Sequence, residues 1–373
     1  MAATFHWHSE TRIAQPARDL AALRDAVIAR AGLRAGRDGV TVQDGADLLC
    51  ETSGSGGVPK VIRRSVASWQ ASFAVNGARL ALGPETCVAF FSGFGASLAL
   101  YGALEGAHHG ACLLSLAEVA PHRWARTLAA RRASTLYVTP TQLALVCRAG
   151  TRLPDVRHIL VGGGRLSPAT ETAARACAPG AEVIHFYGAA ETSFVTWSDA
   201  ATPPGSVGHP YPGVDLRVDP DGLIWVRSPY LFTDYASGSS KDTLWRDGYL
   251  SVGEVGRLDA DGHLFVLGRA SRMVTIADRN VFPETAEAWL AARLPQVGAA
   301  VVAVPDRVRG ARLVACLAGP GDALTDDALL RDARASLGPH DAPHRILRLA
   351  ALPLLPSGKP DLVALTRHAE NAA

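Results

Sequence analysis

The chain contains 373 residues, a length that allows two domains and a sizeable core. Its 37 basic and 35 acidic residues leave a formal net charge of +2, so no nucleic-acid partner is predicted. No apolar run approaches the length of a membrane span, and the N-terminus lacks the form of a signal peptide. The six scattered cysteines contain no C-x-x-C pair and are interpreted as buried residues of a reducing, cytoplasmic compartment.

The first informative element is a predicted strand at residues 47–50, which leads into a stretch rich in glycine and hydroxyl side chains. Residues 50–60 read CETSGSGGVPK and end on Lys60. Backbone N–H groups of such a loop, with rotatable hydroxyls and one cation, can hold a phosphate group. A flexible surface turn is the alternative interpretation. The spacing excludes a Walker A loop, because Val58 and Pro59 follow Gly57, and it also fails the dinucleotide-binding fingerprint.

The next hundred residues alternate between predicted strands and predicted helices. The strands are expected at residues 86–91, 111–116, 135–139, 158–161 and 182–186, and the helices at residues 98–104, 121–133, 140–148 and 168–177. This rhythm predicts a largely parallel sheet covered by helices. Ligands of such sheets bind beyond the carboxyl ends of the strands, where the predicted loops 162–165 and 187–191 fall.

After residue 203 the pattern changes to short strands and turns. Asp247-Gly248 and Asp261-Gly262 are turn signals between predicted hairpin strands. From residue 272 a small α+β unit is expected, with helices at residues 283–294 and 325–337 and strands at residues 299–304, 312–318 and 345–349. The sequence therefore predicts a large domain over residues 1–270 and a small domain over residues 271–373.

Four motifs then stand in a fixed order along the chain. They are TSGSGGVPK at residues 52–60, YGAAET at 187–192, DGYLSVGE at 247–254 followed by Gly268-Arg269, and PSGK at 356–359. Together they resemble the motifs of the adenylate-forming superfamily, which includes acyl- and aryl-CoA synthetases, adenylation domains and luciferases. The resemblance covers residues from about 48 to 362.

This resemblance implies a fold and a length. The fold would be an α/β large domain with a mostly parallel sheet and a β-rich hairpin segment, plus a small mobile α+β C-terminal domain. Only 51 residues precede Thr52, so a truncated N-terminal subdomain is expected. Ser271 would lie at the hinge between the domains, where the small domain of such enzymes turns between half-reactions.

The resemblance also assigns roles to individual residues, with ATP and Mg²⁺ as cofactors. Lys359 would be the catalytic lysine of adenylation, and Glu191 would act with it by holding Mg²⁺. The nucleotide-binding residues would be Thr52, Ser53, Gly54, Ser55, Gly57 and Lys60 at the phosphates, Gly163, Gly164 and Arg165 at the adenine, Tyr187 and Gly188 beside them, and Glu254 and Arg269 at the ribose. The acid substrate would contact Phe94, His185 and Gly188, and the aromatic lining suits an aryl or medium acyl group.

The implied function is an AMP-forming acid–thiol ligase. It would activate a carboxylic acid with ATP to an acyl-adenylate and pass the acyl group to CoA or to the phosphopantetheine of a carrier protein. Ala277 and Asp278 replace a glycine pair of CoA ligases, which favours a carrier protein. Arg272, Arg279 and Arg309 would meet its acidic surface. The chain also loosely resembles the short carrier-protein ligases of aryl-polyene and xanthomonadin-type clusters.

Two other functions stay open from the sequence. A stand-alone amino-acid adenylating enzyme would use an aspartate to hold the substrate amine, and residues 91–95, FSGFG, offer none. A non-catalytic nucleotide-binding relative is favoured by Ala190, which replaces a threonine of the family. The retention of Glu191, Arg269 and Lys359 opposes that interpretation.

Overall fold

The computed structural model describes residues 3–36, 38–45, 47–52, 60–294, 297–319, 325–354 and 360–372. The chain forms two compact units. Unit 1 comprises Met1–Arg217, Trp225–Val252 and Leu258–Phe265, and unit 2 comprises Val218–Ile224, Gly253–Arg257 and Val266–Ala373. The predicted domain boundary at residue 270 stays a prediction. No helix among the described residues is long and apolar enough to cross a membrane, and the cytoplasmic location also stays a prediction.

The main sheet of unit 1 has eight strands, of which six are parallel. Their spatial order is Arg12–Ile13, Cys112–Ser115, Cys87–Phe90, Thr135–Val138, His158–Val161, Glu182–Ala189, Ser193–Trp197 and His209–Pro210. The helices of this unit are Arg18–Ile28, Val66–Leu80, Ser97–His108, Trp124–Ala130, Pro140–Arg148 and Pro168–Cys177, and a 3₁₀ turn covers Pro121–Arg123. The predicted mostly parallel sheet is therefore confirmed.

The parallel strands are mainly apolar because both faces of the sheet are covered. In the strand His158–Val161, Leu160 packs into one hydrophobic core, while Ile159 and Val161 pack into the other. The helix Pro140–Arg148 begins at a capping box formed by Thr139 and Gln142. These local signals explain why the predicted strands and helices of this region agree closely with the structure.

Two smaller sheets contain further strands. The first has the order Asp234–Ser237, Lys60–Arg64, Leu48–Thr52, Gly32–Gly36 and Gly39–Gln43, and the second has the order Asp215–Val218, Ile224–Arg227, Tyr249–Ser251 and Leu244–Arg246. The strands Glu254–Leu258 and Leu264–Arg269 form a further pair. Asp247 and Gly248 have φ values of 49° and 79°, as a tight hairpin turn requires. The predicted β-rich hairpin segment is confirmed.

Unit 2 contains the predicted small α+β arrangement. A three-stranded sheet has the order Gly298–Asp306, Gly310–Ala318 and Arg345–Leu349, and a hairpin joins Val274–Ile276 to Arg279–Val281. The helices are Pro283–Arg293, Asp326–Asp341 and Leu362–Asn371, with a 3₁₀ turn at Ala270–Arg272. The second helix is kinked at Gly338, which has a φ of 83°, next to Pro339.

A buried carboxyl group lies inside unit 1, on the helix Ser97–His108. Glu105 has no exposed surface. Its Oε1 accepts hydrogen bonds from Asn76 Nδ2 at 2.9 Å and from the Tyr101 hydroxyl at 3.1 Å, and its Oε2 accepts one from Tyr137. Burial raises the pKa of Glu105 from 4.5 to about 7, although these three donors lower it in part. Glu105 is therefore mainly protonated in the folded chain at mildly acidic pH.

We expect the substitution Glu105→Gln to flatten the pH dependence of stability. Because the folded pKa of Glu105 lies above the unfolded value, its contribution is complete below pH 4.5 and is lost as the pH rises through about 7. The free energy of unfolding of the variant, relative to wild type, should increase between pH 5.5 and 8.5 by on the order of 2 kcal/mol. Urea unfolding at both pH values measures this difference.

Glu118→Gln is the matched control, since Glu118 is exposed and lies just after the strand Cys112–Ser115 of the main sheet. This variant should show the same pH dependence as wild type. A constant stability difference between Glu105→Gln and wild type at the two pH values would contradict the expected titration of the buried carboxyl group. The groups that face this carboxyl group are Tyr101, Tyr137 and Asn76, with Tyr211 donating to Asn76 Oδ1 at 2.7 Å.

Candidate active site

The glycine-rich stretch connects two antiparallel strands of unit 1. Leu48–Thr52 pairs with Lys60–Arg64, and Thr52 lies directly opposite Lys60. Ser53, Gly54, Ser55 and Gly57, which were predicted to hold phosphates, lie outside the described residues. The pairing brings the first and last side chains of the predicted phosphate loop to the same point.

Lys60 lies beside an aromatic ring that the sequence analysis did not single out. The strand Asp234–Ser237 pairs with Lys60–Arg64, and Tyr235 is opposite Ile62. Residues that lie opposite each other on paired strands point to the same face of the sheet, and so do residues two positions apart on one strand. Tyr235 lies opposite Ile62, and Lys60 is two residues before Ile62, so the side chains of Tyr235 and Lys60 project to the same side. The Lys60 ammonium group lies 5.7 Å from the centre of the Tyr235 ring.

Tyr235 also connects Lys60 to Glu191. Its hydroxyl donates to Glu191 Oε1 at 2.8 Å and lies 2.8 Å from Thr243 Oγ1. Burial raises the pKa of Tyr235, so the phenol remains a proton donor at neutral pH. The structure thus brings together two residues predicted for the phosphates and Mg²⁺, Lys60 and Glu191, and adds Tyr235 between them.

Glu191 lies in a tight turn whose start differs from the predicted loop 187–191. The strand continues to Ala189, so Tyr187 and Gly188 are strand residues, with a register shift between them. Thr192 Oγ1 accepts the Ala189 N–H at 2.9 Å and closes the turn. A Cβ atom at residue 188 would lie 1.9 Å from the carbonyl oxygen of Ser193, so only glycine fits there.

The loop predicted to contact adenine is anchored by a histidine. Gly163 has a φ of 79°, a conformation that favours glycine. His185 Nε2 lies 3.0 Å from the carbonyl oxygen of Gly164, and burial lowers the pKa of His185. The neutral ring can donate this hydrogen bond, so His185 supports the backbone of the loop, while Arg165 is exposed.

The residues proposed for the acyl group lie among packed aromatic rings. Phe94 is only 2% exposed, and its ring lies 5.7 Å from that of Phe90. The Phe186 ring covers Gly162, where a Cβ atom would approach it to 2.1 Å, and it lies 4.5 Å from the Phe194 ring. In this structure Phe94 is a core residue, and its role toward an acyl group remains a proposal.

Unit 2 contains the residues predicted for the ribose and the hinge. Arg269 Nε lies 3.7 Å from Glu254 Oε1, and the N–H of Ala270 donates to the carbonyl of Gly253 at 2.8 Å. Glu254 and Arg269 are thus neighbours, and their contact with the ribose stays a prediction. Ser271 is the central residue of the 3₁₀ turn Ala270–Arg272. Lys359 lies outside the described residues.

Comparison with known proteins identifies the family. Residues 35–236, more than half of the chain, match the AMP-binding enzyme family, and residues 286–359 match the AMP-binding enzyme C-terminal domain. The chain belongs to the AMP-binding enzyme family. The resemblance to the adenylate-forming superfamily is therefore confirmed.

Individual relatives of this AMP-binding enzyme are acyl-activating proteins by name. The uncharacterized acyl–CoA ligase YhfT of Bacillus subtilis (strain 168) is 31% identical over 322 residues, which are 83% of this chain and 65% of that protein. The sulfoacetate–CoA ligase of Cupriavidus necator is 29% identical over 353 residues, 87% of this chain and 68% of that protein. The chain thus spans about two thirds of the length of these curated relatives.

A solved structure confirms the fold of this AMP-binding enzyme. The o-succinylbenzoate coenzyme A synthetase MenE from Bacillus subtilis, in complex with ATP and magnesium ion, matches with a TM-score of 0.76 at 22% identity. The match covers 85% of this chain and 69% of that chain. The α/β large domain with a smaller C-terminal domain is therefore the fold of this chain as well.

Proposed function

We propose that this chain is an AMP-forming acid–thiol ligase. It activates a carboxylic acid with ATP to an acyl-adenylate and then transfers the acyl group to a thiol. The observation that supports this proposal most directly is the group Lys60, Tyr235 and Glu191 beside the paired strands Leu48–Thr52 and Lys60–Arg64, in a chain of the AMP-binding enzyme family.

The side chains of this group fit ATP and Mg²⁺. Mg²⁺ prefers hard oxygen ligands and is commonly bound by one or two carboxylates together with substrate phosphates. Glu191 supplies a carboxylate whose Oε1 is oriented by the Tyr235 phenol, and Lys60 supplies a positive charge beside the same ring. Thr52, opposite Lys60, adds a hydroxyl group at the entrance to the loop. These residues would hold the metal and the phosphates of ATP.

The chemistry needs charge stabilisation more than proton transfer. When an acid carboxylate attacks the α-phosphate of ATP, negative charge develops on the phosphate oxygens and on the departing pyrophosphate. Positive charges held in advance at these positions lower the barrier. Lys60 and Lys359 contribute such charge from the protein, and bound Mg²⁺ adds to it. Thiol attack on the acyl-adenylate then releases AMP.

A screen for acid-dependent pyrophosphate release tests the proposed function. Purified protein with ATP and Mg²⁺ should release pyrophosphate when an acceptable aryl or medium-chain acid is added with a thiol acceptor. An amino acid as the best substrate would favour the stand-alone amino-acid adenylating enzyme. ATP binding without release for any acid would favour the non-catalytic relative, and the ligase proposal would be rejected.

The acceptor is proposed to be a carrier-protein phosphopantetheine. Ala277 and Asp278 form the turn of the hairpin that joins Val274–Ile276 to Arg279–Val281, with φ values of 46° and 64°. Glycine favours this conformation, yet both positions carry side chains here, which narrows the space beside the backbone. This departure from the glycine pair supports the carrier-protein acceptor, in line with the looser resemblance to aryl-polyene and xanthomonadin-type ligases.

The arginines proposed to meet the carrier protein differ in availability. Arg272 binds Glu287 through both terminal nitrogens, at 3.0 and 2.8 Å, and lies 3.3 Å from Glu284, so it is engaged by carboxylates of its own unit, and its contact with a partner stays a prediction. Arg279 is exposed in the hairpin. Arg309 lies next to this turn, since its carbonyl accepts the N–H of Ala277 at 3.0 Å, and its Nη2 donates to the carbonyl of Pro339 at 3.1 Å. The two arginines of the proposed carrier surface that lie at this turn are Arg279 and Arg309.

Charge reversal at this surface should separate the two acceptors. We expect Arg279→Glu combined with Arg309→Glu to slow acyl transfer to a holo carrier protein by about tenfold at low salt, because electrostatic attraction speeds the encounter. Transfer to free CoA should not change. The measurement is the initial rate of thioester formation with each acceptor and the best acid.

Arg334→Glu serves as the control, since Arg334 is an exposed arginine of unit 2 on the helix Asp326–Asp341. It should leave both rates at the wild-type value. Efficient thioester formation with CoA, and none with carrier proteins, would contradict the proposed acceptor while leaving the ligase activity intact.

A further inference from the structure

The largest fully buried side chain described in this protein is an arginine. Arg64, the last residue of the strand Lys60–Arg64, has no exposed surface. Its guanidinium group lies 5.5 Å from the centre of the Trp69 ring. Burial lowers the pKa of Arg64 to about 10, so the side chain is still a cation at neutral pH. A buried cation is expensive and is retained only where specific partners stabilise it.

The hydrogen bonds of Arg64 converge on backbone carbonyls from two distant segments. Nη2 donates to the carbonyl oxygen of Ala190 at 2.6 Å. Nη1 donates to the carbonyl oxygen of Tyr230 at 2.5 Å and to Ser68 Oγ at 3.1 Å. The planar guanidinium group has several N–H donors in a fixed arrangement and can bind these separate acceptors at once, whereas a lysine ammonium group is a compact point charge.

Both carbonyls belong to the segments that position Glu191. Ala190 immediately precedes Glu191, and the carbonyl of Glu191 accepts the N–H of Phe232 at 2.8 Å, two residues after Tyr230. Glu191 is also close enough to Arg64 to raise its pKa through charge attraction. Arg64 thus connects the strand of Lys60 with the turn of Glu191 and with the segment that leads to Tyr235.

We propose that Arg64 is a positioning residue for the metal carboxylate: it holds the turn of Glu191 at a fixed place relative to Lys60 and Tyr235. The proposal rests on the proposed function, in which Glu191 binds Mg²⁺ with ATP. Arg64 itself touches neither substrate nor metal. Its loss should therefore act on metal affinity rather than on nucleotide binding through the phosphate loop.

Two substitutions separate the fork geometry from the charge. Arg64→Met removes both and leaves the carbonyls of Ala190 and Tyr230 without this donor. Arg64→Lys keeps a cation but cannot bind both carbonyls in the same way. If Arg64→Met does not fold, hydrogen exchange and Mg²⁺ affinity are measured on Arg64→Lys alone. Thermal unfolding of each variant records the purely structural cost.

Backbone hydrogen exchange tests the positioning without any assumption about function. In Arg64→Met the amides of residues 186–193 and 229–236 should exchange at least about tenfold faster than in wild type, because the hydrogen bonds that close these segments open more often. Arg64→Lys should show a smaller increase in the same segments. Unchanged exchange in both segments would overturn the proposal, whatever the protein's activity.

Titration of Mg²⁺ in the presence of saturating ATP tests the consequence for the site. The apparent Kd for Mg²⁺ should rise about tenfold in Arg64→Met and about threefold in Arg64→Lys. ATP affinity in the presence of EDTA should change by less than about threefold. An unchanged Kd for Mg²⁺ would overturn the proposal. If wild-type protein binds no ATP, the proposed function fails, and the exchange experiment still decides the positioning role.

Arg345→Met is a matched control in unit 2. Arg345 also donates from both terminal nitrogens to two backbone carbonyls, those of Ala369 and Ala372, and the Nε atoms of Arg64 and Arg345 both have no hydrogen-bond partner among the described residues. This variant should lower thermal stability without changing the exchange of residues 186–193 or the Kd for Mg²⁺. Equal changes in the Arg64 and Arg345 variants would show general destabilisation and would overturn the positioning role.

Discussion

Replacing Lys359 with alanine is expected to slow acid-dependent pyrophosphate release by about a few hundredfold and to spare thiol transfer. In the proposed mechanism this lysine adds positive charge at the carboxylate and the α-phosphate only while the adenylate forms. One preorganised electrostatic donor of this kind is worth about 3–4 kcal/mol, a loss of a few hundredfold in rate. The measurement runs the half-reactions separately, with acid and ATP in one and a synthetic acyl-adenylate and thiol in the other.

The chain provides a close control for this experiment. It contains three lysines, Lys60, Lys241 and Lys359. Lys241 is exposed and outside every motif, so Lys241→Ala should keep both half-reactions at the wild-type rate. Equal loss of both half-reactions in Lys359→Ala would show that this lysine maintains the structure, and the assigned role in adenylation would be withdrawn.

The second large effect is expected at Glu191. Glu191→Gln removes the negative charge that would bind Mg²⁺ and should lower the rate of pyrophosphate release at saturating ATP by about 100-fold or more. The loss should shrink as Mg²⁺ is raised, because weaker binding is partly offset by concentration. The rate is measured across a range of Mg²⁺ concentrations at fixed ATP and acid.

Tyr235→Phe refines this prediction, because it removes one hydroxyl and keeps the ring beside Lys60. The hydrogen bond to Glu191 Oε1 that this variant loses is charge-assisted and worth about 1.5–3 kcal/mol. We therefore expect the rate of pyrophosphate release to fall by about tenfold or more. Glu118→Gln, at an exposed glutamate after the strand Cys112–Ser115, is the control. A wild-type Mg²⁺ dependence in Glu191→Gln would exclude this residue as the metal ligand.

Much of the parallel core could be predicted because its signals are local. The strand His158–Val161 contains three consecutive apolar residues, and the helices Pro140–Arg148 and Pro168–Cys177 each begin with a capping residue followed by proline. The pattern of each segment already contains its periodicity and its ends. The predicted bounds of all three elements agree with the structure.

The helix Val66–Leu80 shows why other elements were not predicted. Its buried face includes Ser68, Ser72 and Asn76, so the polar residues interrupt the apolar periodicity that marks a helix. Those side chains find partners only in the folded chain: Ser72 Oγ lies 2.7 Å from the Tyr101 hydroxyl, and Asn76 binds Glu105. These polar side chains can be buried only because Tyr101 and Glu105, which are 25 or 29 positions away along the chain, supply their hydrogen-bond partners.

Some residues of the candidate site could likewise be predicted from the sequence, whereas others could not. The sequence by itself determined the residue types of the motifs, including Lys60, Glu191 and Lys359, because the order and spacing of four short motifs are properties of the chain. Only the tertiary structure revealed Tyr235 and Arg64, which reach the Glu191 turn across 44 and 126 residues. Pairing between distant strands and burial of a cation decide such contacts, and both arise from packing of the whole unit rather than from any local pattern.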